Sequence, residues 1–374
     1  MLSVRNVYRL GIKEIWSLIR DPIMLVLIVY SFSASIYTAA TAAPETLNKV
    51  PVGIVDEDQS ILSGRISAAL MPPYFLPPQM ITLGEMDTGM DAGRYTFVLN
   101  IPQKFQKDVL AGQTPAVQLN VDATRMSQAF TGSGHIQAII MDEVNEYVQG
   151  FRGSAPQPVA IAERMRFNPN LDNSWMSAIS EIINIITMLS IILTGAALIR
   201  EREHGTIEHL LVMPVSPTEI MLSKVWSMAV VVLLATFCSI IFVVQAWLDI
   251  PVAGSIPLFM IIAGLHLFST TSLGIFLATI SRTMPQFGLL MMLIMMPLQM
   301  LSGGSTPRES MPILVQNIML LAPTTHFVAA GQGILIRGAG LDVVWPQMLA
   351  IILIGAVFFS ISLKRFRKTI TQMA

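Results

Sequence analysis

The sequence predicts an α-helical integral membrane protein with six transmembrane helices, an N-terminal interfacial helix, and an extracytoplasmic α/β domain between the first and second spans. Three observations carry this. Of 374 residues, 53% are hydrophobic and only 13% charged, unlike a soluble chain of this length. Six apolar runs approach or exceed the roughly 20 residues that a helix needs to cross a bilayer, the fifth being the shortest. Between the first two of them, residues 44–174 are polar, acid-leaning and free of any spanning run.

Residues 1–21 come first. Arg5, Arg9 and Lys13 recur every four positions on one helical face, while Val4, Val7, Gly11, Ile15 and Leu18 lie on another, the pattern of a helix lying along the cytoplasmic leaflet. Asp21-Pro22 then supplies an N-cap and a first-turn proline, so the uncharged run 22–43 is the first span. Ala40-Thr41-Ala42 resembles a signal-peptidase site. The run is longer than the ~7–15 residues of a signal core, however, and follows an amphipathic leader.

Within 44–174, the segments 50–55, 95–101 and 116–121 are short and apolar or alternating, and read as strands. Helices are expected over 60–70, over 102–110, opened by Pro102 and closed by Gly112, and over 127–149. Asp56-Glu57-Asp58 reads as a solvated turn ahead of a helix rather than as a divalent-cation site.

The transmembrane domain, 175–374, holds the other spans at 176–199, 225–248, 256–280, 285–301 and 345–363. Lysines and arginines orient them. Arg5, Arg9, Lys13 and Arg20 in the leader, Arg200, Arg202 and Lys224 in the loop 200–224, Arg282, and Lys364, Arg365, Arg367 and Lys368 in the tail all fall on one side of a six-span chain. Both termini are thus assigned to the cytoplasm and 44–174 to the outside. The sole cysteine, Cys238, lies in an apolar run, so no intrachain disulfide forms and the thiol reads as a buried spectator.

Two segments break the pattern. In 200–224, Gly205 can end the arriving helix and Thr206 can cap a short new one carrying Ile207, Leu210 and Leu211 on one stripe, with Glu208 turned away and Pro214 as its end. Ser216-Pro217-Thr218-Glu219 reads as a capping box opening the next span. From the residues alone, the short helix either enters a cleft on a partner or belongs to a loop lying on the lipid surface. In 302–325, Ser302-Gly303-Gly304 ends the fifth span, Pro307 and Pro312 follow, and 311–321 is apolar but too short to cross. A segment dipping back into the outer leaflet fits, because such backbone is tolerated at membrane depth when buried in protein or lining a cavity.

Glu201-Arg202-Glu203, Gly205-Thr206, Glu208, Leu210 and Pro214 resemble the cytoplasmic signature of ABC-2 type transporter permeases. LSGGSTPRESMP with Pro323-Thr324-Thr325-His326, and VPVGIVDEDQS with GRYTFVLNIPQKF, are similar to that family's outer loop and extracytoplasmic domain. The resemblance implies the permease subunit of an exporter in a bacterial inner membrane. It would pair with a second permease subunit, identical or different, and with an ATP-binding subunit that holds ATP and magnesium; a periplasmic membrane-fusion adaptor is a further partner to consider. By the same resemblance, Glu201, Glu203, Gly205, Thr206, Ile207, Glu208, Leu210 and Leu211 serve docking and coupling, and Gly303, Gly304, Pro307 and Pro312 shape the outer gate.

No phosphate loop G-x-x-x-x-G-K-[ST] occurs, so ATP hydrolysis is assigned to the partner and no cofactor to this chain. Nor do H-E-x-x-H, C-x-x-C or G-x-S-x-G occur. A net charge of -1 with no pooled basic domain gives no hint of nucleic acid. Glu181 and Asn184, inside the second span, are candidates for the translocation path. His266, with Ser269 to Ser272, suggests interhelical hydrogen bonding. Met291, Met292, Met295, Met296 and Met300 suggest deformable packing rather than a soft-metal site. A receptor or scaffold with an outer sensor domain, and a membrane enzyme using Glu181 or His266, are the rival classes.

Overall fold

The computed structural model describes residues 3–42, 49–124, 126–150, 166–168, 172–203, 215–304 and 306–371. It divides into two compact units, Met1–Ala42 with Met165–Ala374, and Ala43–Arg164. The chain enters the first unit through helix α1 (Val4–Ile19), which buries Gly11, Glu14 and Leu18. An acid thus sits on the stripe expected to be purely apolar, and Val4 at its start is exposed. Asp21 caps α2 (Pro22–Thr41), its carboxylate accepting from the Ile23 and Met24 amides, with Pro22 in the first turn. A π-helical stretch at Ser31–Ser35 interrupts α2.

The second unit is built on a four-stranded sheet in the order β2-β1-β3-β4, formed by β1 (Val52–Asp56), β2 (Gln79–Met80), β3 (Phe97–Ile101) and β4 (Gln118–Val121). β1 runs parallel to both β2 and β3, and β4 is antiparallel to β3. Helices α3 (Ile61–Ala69), α4 (Leu83–Asp91), α5 (Phe105–Leu110) and α6 (Met126–Gln149) complete it. Ile54, Leu99 and Ile101 from the sheet pack against Leu62 and Ile66 of α3, Phe105 of α5 and Ile136 of α6, while Val55 and Val98 face Met86 and Met90 of α4 on the other side.

Two of these elements, β2 and α4, are absent from the sequence reading. β2 is two exposed residues with no alternation and exists only through its pairing to β1. α5 starts at Phe105 rather than at Pro102, because Lys104 takes a left-handed conformation (φ 65°) that breaks helical continuity. The acidic turn caps and closes as expected. Asp56 accepts from the Asp58 and Gln59 amides and from Ser63 Oγ, and Asp58 from the Gln106 amide.

The first unit resumes with α7 (Asn173–Glu203), α8 (Pro217–Trp247, π-helical from Ser239), α9 (Ile256–Ile280) and α10 (Met284–Leu301). After a 3-10 turn at Arg308–Ser310 come α11 (Ile313–Met319), α12 (Pro323–Leu335) and α13 (Leu341–Thr371). Among the described residues, α2, α7, α8, α9, α10 and α13 are long and apolar enough to cross a membrane, and α11 with α12 form a pair bent by 90°. α7 is the axis of the unit: 83% of its apolar window is buried, against 11% for α10 and 17% for α13. The outward faces of α2 and α10 expose Ile23, Val26, Leu289 and Met292, a distribution suited to lipid rather than water. Cys238 is exposed, not buried, because it falls on the outward face of α8.

Helices α7 and α9 approach so closely that a Cβ on Gly274 would lie 2.8 Å from the Ile191 carbonyl oxygen. That oxygen belongs to backbone and cannot turn aside. Gly274→Val should therefore push the two central helices apart and destabilise the fold by about 1–3 kcal/mol or more, read as a lower unfolding temperature of the detergent-solubilised protein.

Candidate functional site

The functional geometry of the helical unit lies at the two ends of α7. At the C-terminal end, the Lys224 ammonium, 1% exposed as a residue, lies between two carboxylates. It is 2.8 Å from Glu201 Oε2 of α7 and 3.1 Å from Glu14 Oε1 of α1. Lys13 reaches Glu201 Oε1 at 3.2 Å from the solvent side. Burial pushes the Glu14 carboxyl above its ordinary value, against the pull of the Lys224 charge. A charge taken out of water costs several kcal/mol unless it is paired, so α1, α7 and α8 are held in one register.

The same end is tied by further contacts. Glu219 closes the predicted capping box, accepting from the Ser216 amide at 2.6 Å, and also accepts from the Ser3 amide at 2.7 Å. Trp226 Nε1 donates to the Val7 carbonyl and the indole stacks on Tyr8. Gly11 leaves room for that ring, since a Cβ there would meet it at 2.2 Å. Arg200 pairs with Asp21, joining α7 to the cap of α2.

Successive helical residues fan out by about 100°, so Glu201, Arg202 and Glu203 point in three directions. Glu201 faces the buried lysine. Arg202 donates to the Ser281 and Ala278 carbonyls, covering the C-terminal end of α9. Glu203 accepts from the Met284 amide at 3.1 Å, at the start of α10, while remaining exposed. Gly205, Thr206, Ile207, Glu208, Leu210 and Leu211 lie outside the described residues.

At the other end of α7, a cavity of about 700 Å³ is bounded by Met176, by Gly303, Gly304 and Pro307 after α10, by the first turn of α12, and by Pro346 and Gln347 of α13. Gly303 has φ 97°, a conformation that admits glycine and few others. The Gly304 carbonyl faces Ser180 Oγ of α7 at 3.4 Å. Pro312 caps α11 away from the cavity wall. Met176 and Glu201 are 25 positions apart in sequence, so the two ends are separated by about 37 Å of helix.

Between them runs a polar seam. Thr187 Oγ1 and His266 Nε2 are 2.9 Å apart, Ser190 Oγ donates to Thr270 at 2.6 Å, and Ser362 Oγ donates to the Ser272 carbonyl at 2.8 Å. His266 is fully buried and stacks on Phe327 at 4.1 Å. Of the side chains 269–272, Thr270 bonds across helices, whereas Thr271 and Ser272 donate to the Leu267 and Phe268 carbonyls of their own helix, so the expected interhelical bonding is met in part. Glu181 accepts from Ser35 Oγ at 2.8 Å, linking α7 to α2, and Asn184 is half-buried one turn on. Among the described residues no group of three histidine, cysteine or acidic side chains is placed to hold a metal.

The partnership of Lys224 with Glu14 is not legible in the sequence. Its one trace is an acid at the third position after Gly11 and the fourth before Leu18, on the helix face that buries both.

Six helices among the described residues that are long and apolar enough to cross a membrane, with a junction of charges at one end and a glycine-lined cavity at the other, fit a multi-pass membrane protein. The model of the ABC-2 family transporter proteins matches residues 15–364, and the chain belongs to that family. It is 59% identical, over the full length of both chains, to the inner membrane transport permease YhhJ of Escherichia coli K12, and equally to that of Shigella flexneri. It is 28% identical to the probable multidrug ABC transporter permease YbhR of Escherichia coli K12, over 96% of this chain and 97% of that one.

Lys224→Ala leaves two buried carboxylates facing one another and should cost about 3–5 kcal/mol of stability, whereas replacing Lys224, Glu14 and Glu201 together by methionine and glutamines should recover most of it. Thermal unfolding in detergent separates the two outcomes. The Asp21 carboxyl is held below its ordinary value: desolvation, the largest influence, raises it but is outweighed by the Met24 amide and Arg200. Its stabilisation is therefore fully present above the ordinary aspartate range, about pH 4, and lost as pH falls through the depressed value. The unfolding temperature of Asp21→Asn should accordingly lie below that of the wild type at pH 7 and converge with it in acid.

Proposed function

We propose that the chain is the membrane subunit of an ATP-driven exporter and couples hydrolysis on a partner to movement at the cavity. The observation that carries this reading is α7. It is a single helix with no proline, and it joins the charge junction beside 204–214 directly to the glycine-lined cavity. In this reading Gly205, Thr206, Ile207, Glu208, Leu210 and Leu211 form the docking element for an ATP-binding subunit that carries ATP and magnesium. Glu201 and Glu203 act from behind it, passing its displacement to α1, α8 and α10. Gly303, Gly304, Pro307 and Pro312 shape the gate at the far end. Glu181 and Asn184 lie along the path.

The orientation follows from the basic residues. Both termini and the Lys224 junction face the cytoplasm, α1 lies at the inner leaflet with Tyr8 and Trp16 exposed toward the headgroups, and the α/β unit stands outside the inner membrane. A second permease subunit completes the pathway, transport is outward, and the α/β unit is the place where a periplasmic adaptor would bind. Relatives named as probable multidrug ABC transporter permeases support drugs as the substrate class.

Purification of the tagged chain from its native host in gentle detergent should recover an ATP-binding subunit. Leu210→Asp, which places a charge in the docking stripe, should reduce that recovery and the coupled ATPase activity at least tenfold while leaving membrane insertion intact, the loss expected where an apolar anchor is replaced by an unpaired charge. A stable, well-folded chain that brings down no ATPase would point instead to a receptor or scaffold.

A further inference from the structure

The cavity beside Gly303 contains more charge than a gate requires. Arg308, from the turn after α10, and Arg337, from the end of α12, both line it. Neither guanidinium forms an ion pair or hydrogen bond among the described residues, and Arg308 Nε is out of contact with water. The first turn of α12 contributes Thr325, 5% exposed, whose Oγ1 also has no partner. A helix N-terminus carries roughly half a positive charge and favours anions. His326, in the same turn, gives its Nε2 proton to the Leu320 carbonyl at 3.0 Å and is thereby fixed in place. Among the described residues the one acid on the lining, Glu309, is exposed to solvent, so the cavity carries two arginines and a helix terminus against one solvated carboxylate.

The remaining walls are mixed: Met176, Leu320, Val328 and Pro346 are apolar, and Ser302, Gln332 and Gln347 add uncharged polar groups. The volume falls within the ~300–1,000 Å³ of ordinary small-molecule sites. Planar guanidinium forks match phosphate and carboxylate oxygens in a way a point charge does not. We infer that this cavity binds an amphipathic anion, its phosphate or carboxylate group held by a guanidinium of the lining, Arg308 or Arg337, with its apolar part along Met176, Leu320 and Val328. The same chemistry is offered by an acidic lipid headgroup and by a free amphipathic solute. The site's place in transport rests on the gate assignment above; its binding chemistry does not.

The test is native mass spectrometry of the full-length chain released from phosphatidylcholine nanodiscs after adding octyl phosphate, octyltrimethylammonium or phosphatidylglycerol. The wild type should retain octyl phosphate or phosphatidylglycerol at least about tenfold better than the ammonium, the preference expected of charge-assisted hydrogen bonds. Retention of the lipid that octyl phosphate cannot displace identifies a headgroup site, and the reverse identifies a solute site. R308Q/R337Q should lose the preference, and R308K/R337K should restore part of it. Equal retention of the ammonium by the wild type, which requires no variant to fold, or undiminished anion binding by R308Q/R337Q, would overturn the assignment. Because R308Q/R337Q should still bring down the ATP-binding subunit, failure of the anion site and failure of the exporter reading give different results.

Discussion

A lysine with no access to water governs one end of this molecule. Lys224 stands two turns into a spanning helix, where its ammonium is compatible with the fold only because Glu14 and Glu201 come to it from two other helices. Neither carboxylate can leave without stranding the others, so helices that share no sequence neighbourhood share a register. The rest of that end is arranged around this fact. Trp226, half a turn beyond Lys224, is in position to cap Val7 and stack on Tyr8; Arg200, one residue before Glu201, is in position to reach Asp21.

Farther along the bundle, hydroxyl groups replace charges. Thr187, Ser190, His266 and Thr270 join α7 to α9 through short hydrogen bonds at a depth where neither helix can find water. Such bonds are each worth little in a bilayer, on the order of 1 kcal/mol, but they fix the rotation of one helix against the other. Glycines do the complementary work: Gly274 sets how near α7 and α9 come.

How much of this could be read from the sequence follows from which interactions are local. The Asp21 cap, the Ser216 capping box and the spans are written in adjacent residues, and the structure places them within a few positions of expectation. The end of α10 at Ser302-Gly303-Gly304 was legible for the same reason. What was not legible depends on distant partners. β2 is defined by a neighbouring strand, and Glu14 looks like one more surface charge until Lys224 is beside it. Cys238 reads as buried from the sequence because an apolar run of about seven turns has no sign of which face is outward. The bend between α11 and α12 was half visible: proline marked the break, but only packing shows that 323–335 continues as a helix at a right angle.

The unbroken course of α7 has a mechanical consequence. Helices α2 and α8 contain π-helical stretches and can flex within their length, whereas α7 has neither such a stretch nor a proline. Its 31 residues make a rod about 46 Å long, so a tilt of ~5° about its middle moves each end by about 2 Å in opposite directions. With its centre pinned by the hydroxyl seam, α7 has the form of a lever with a fulcrum. A tilt about that centre that moved Glu201 would move Met176, and with it one wall of the cavity, the opposite way without any change in the helix itself.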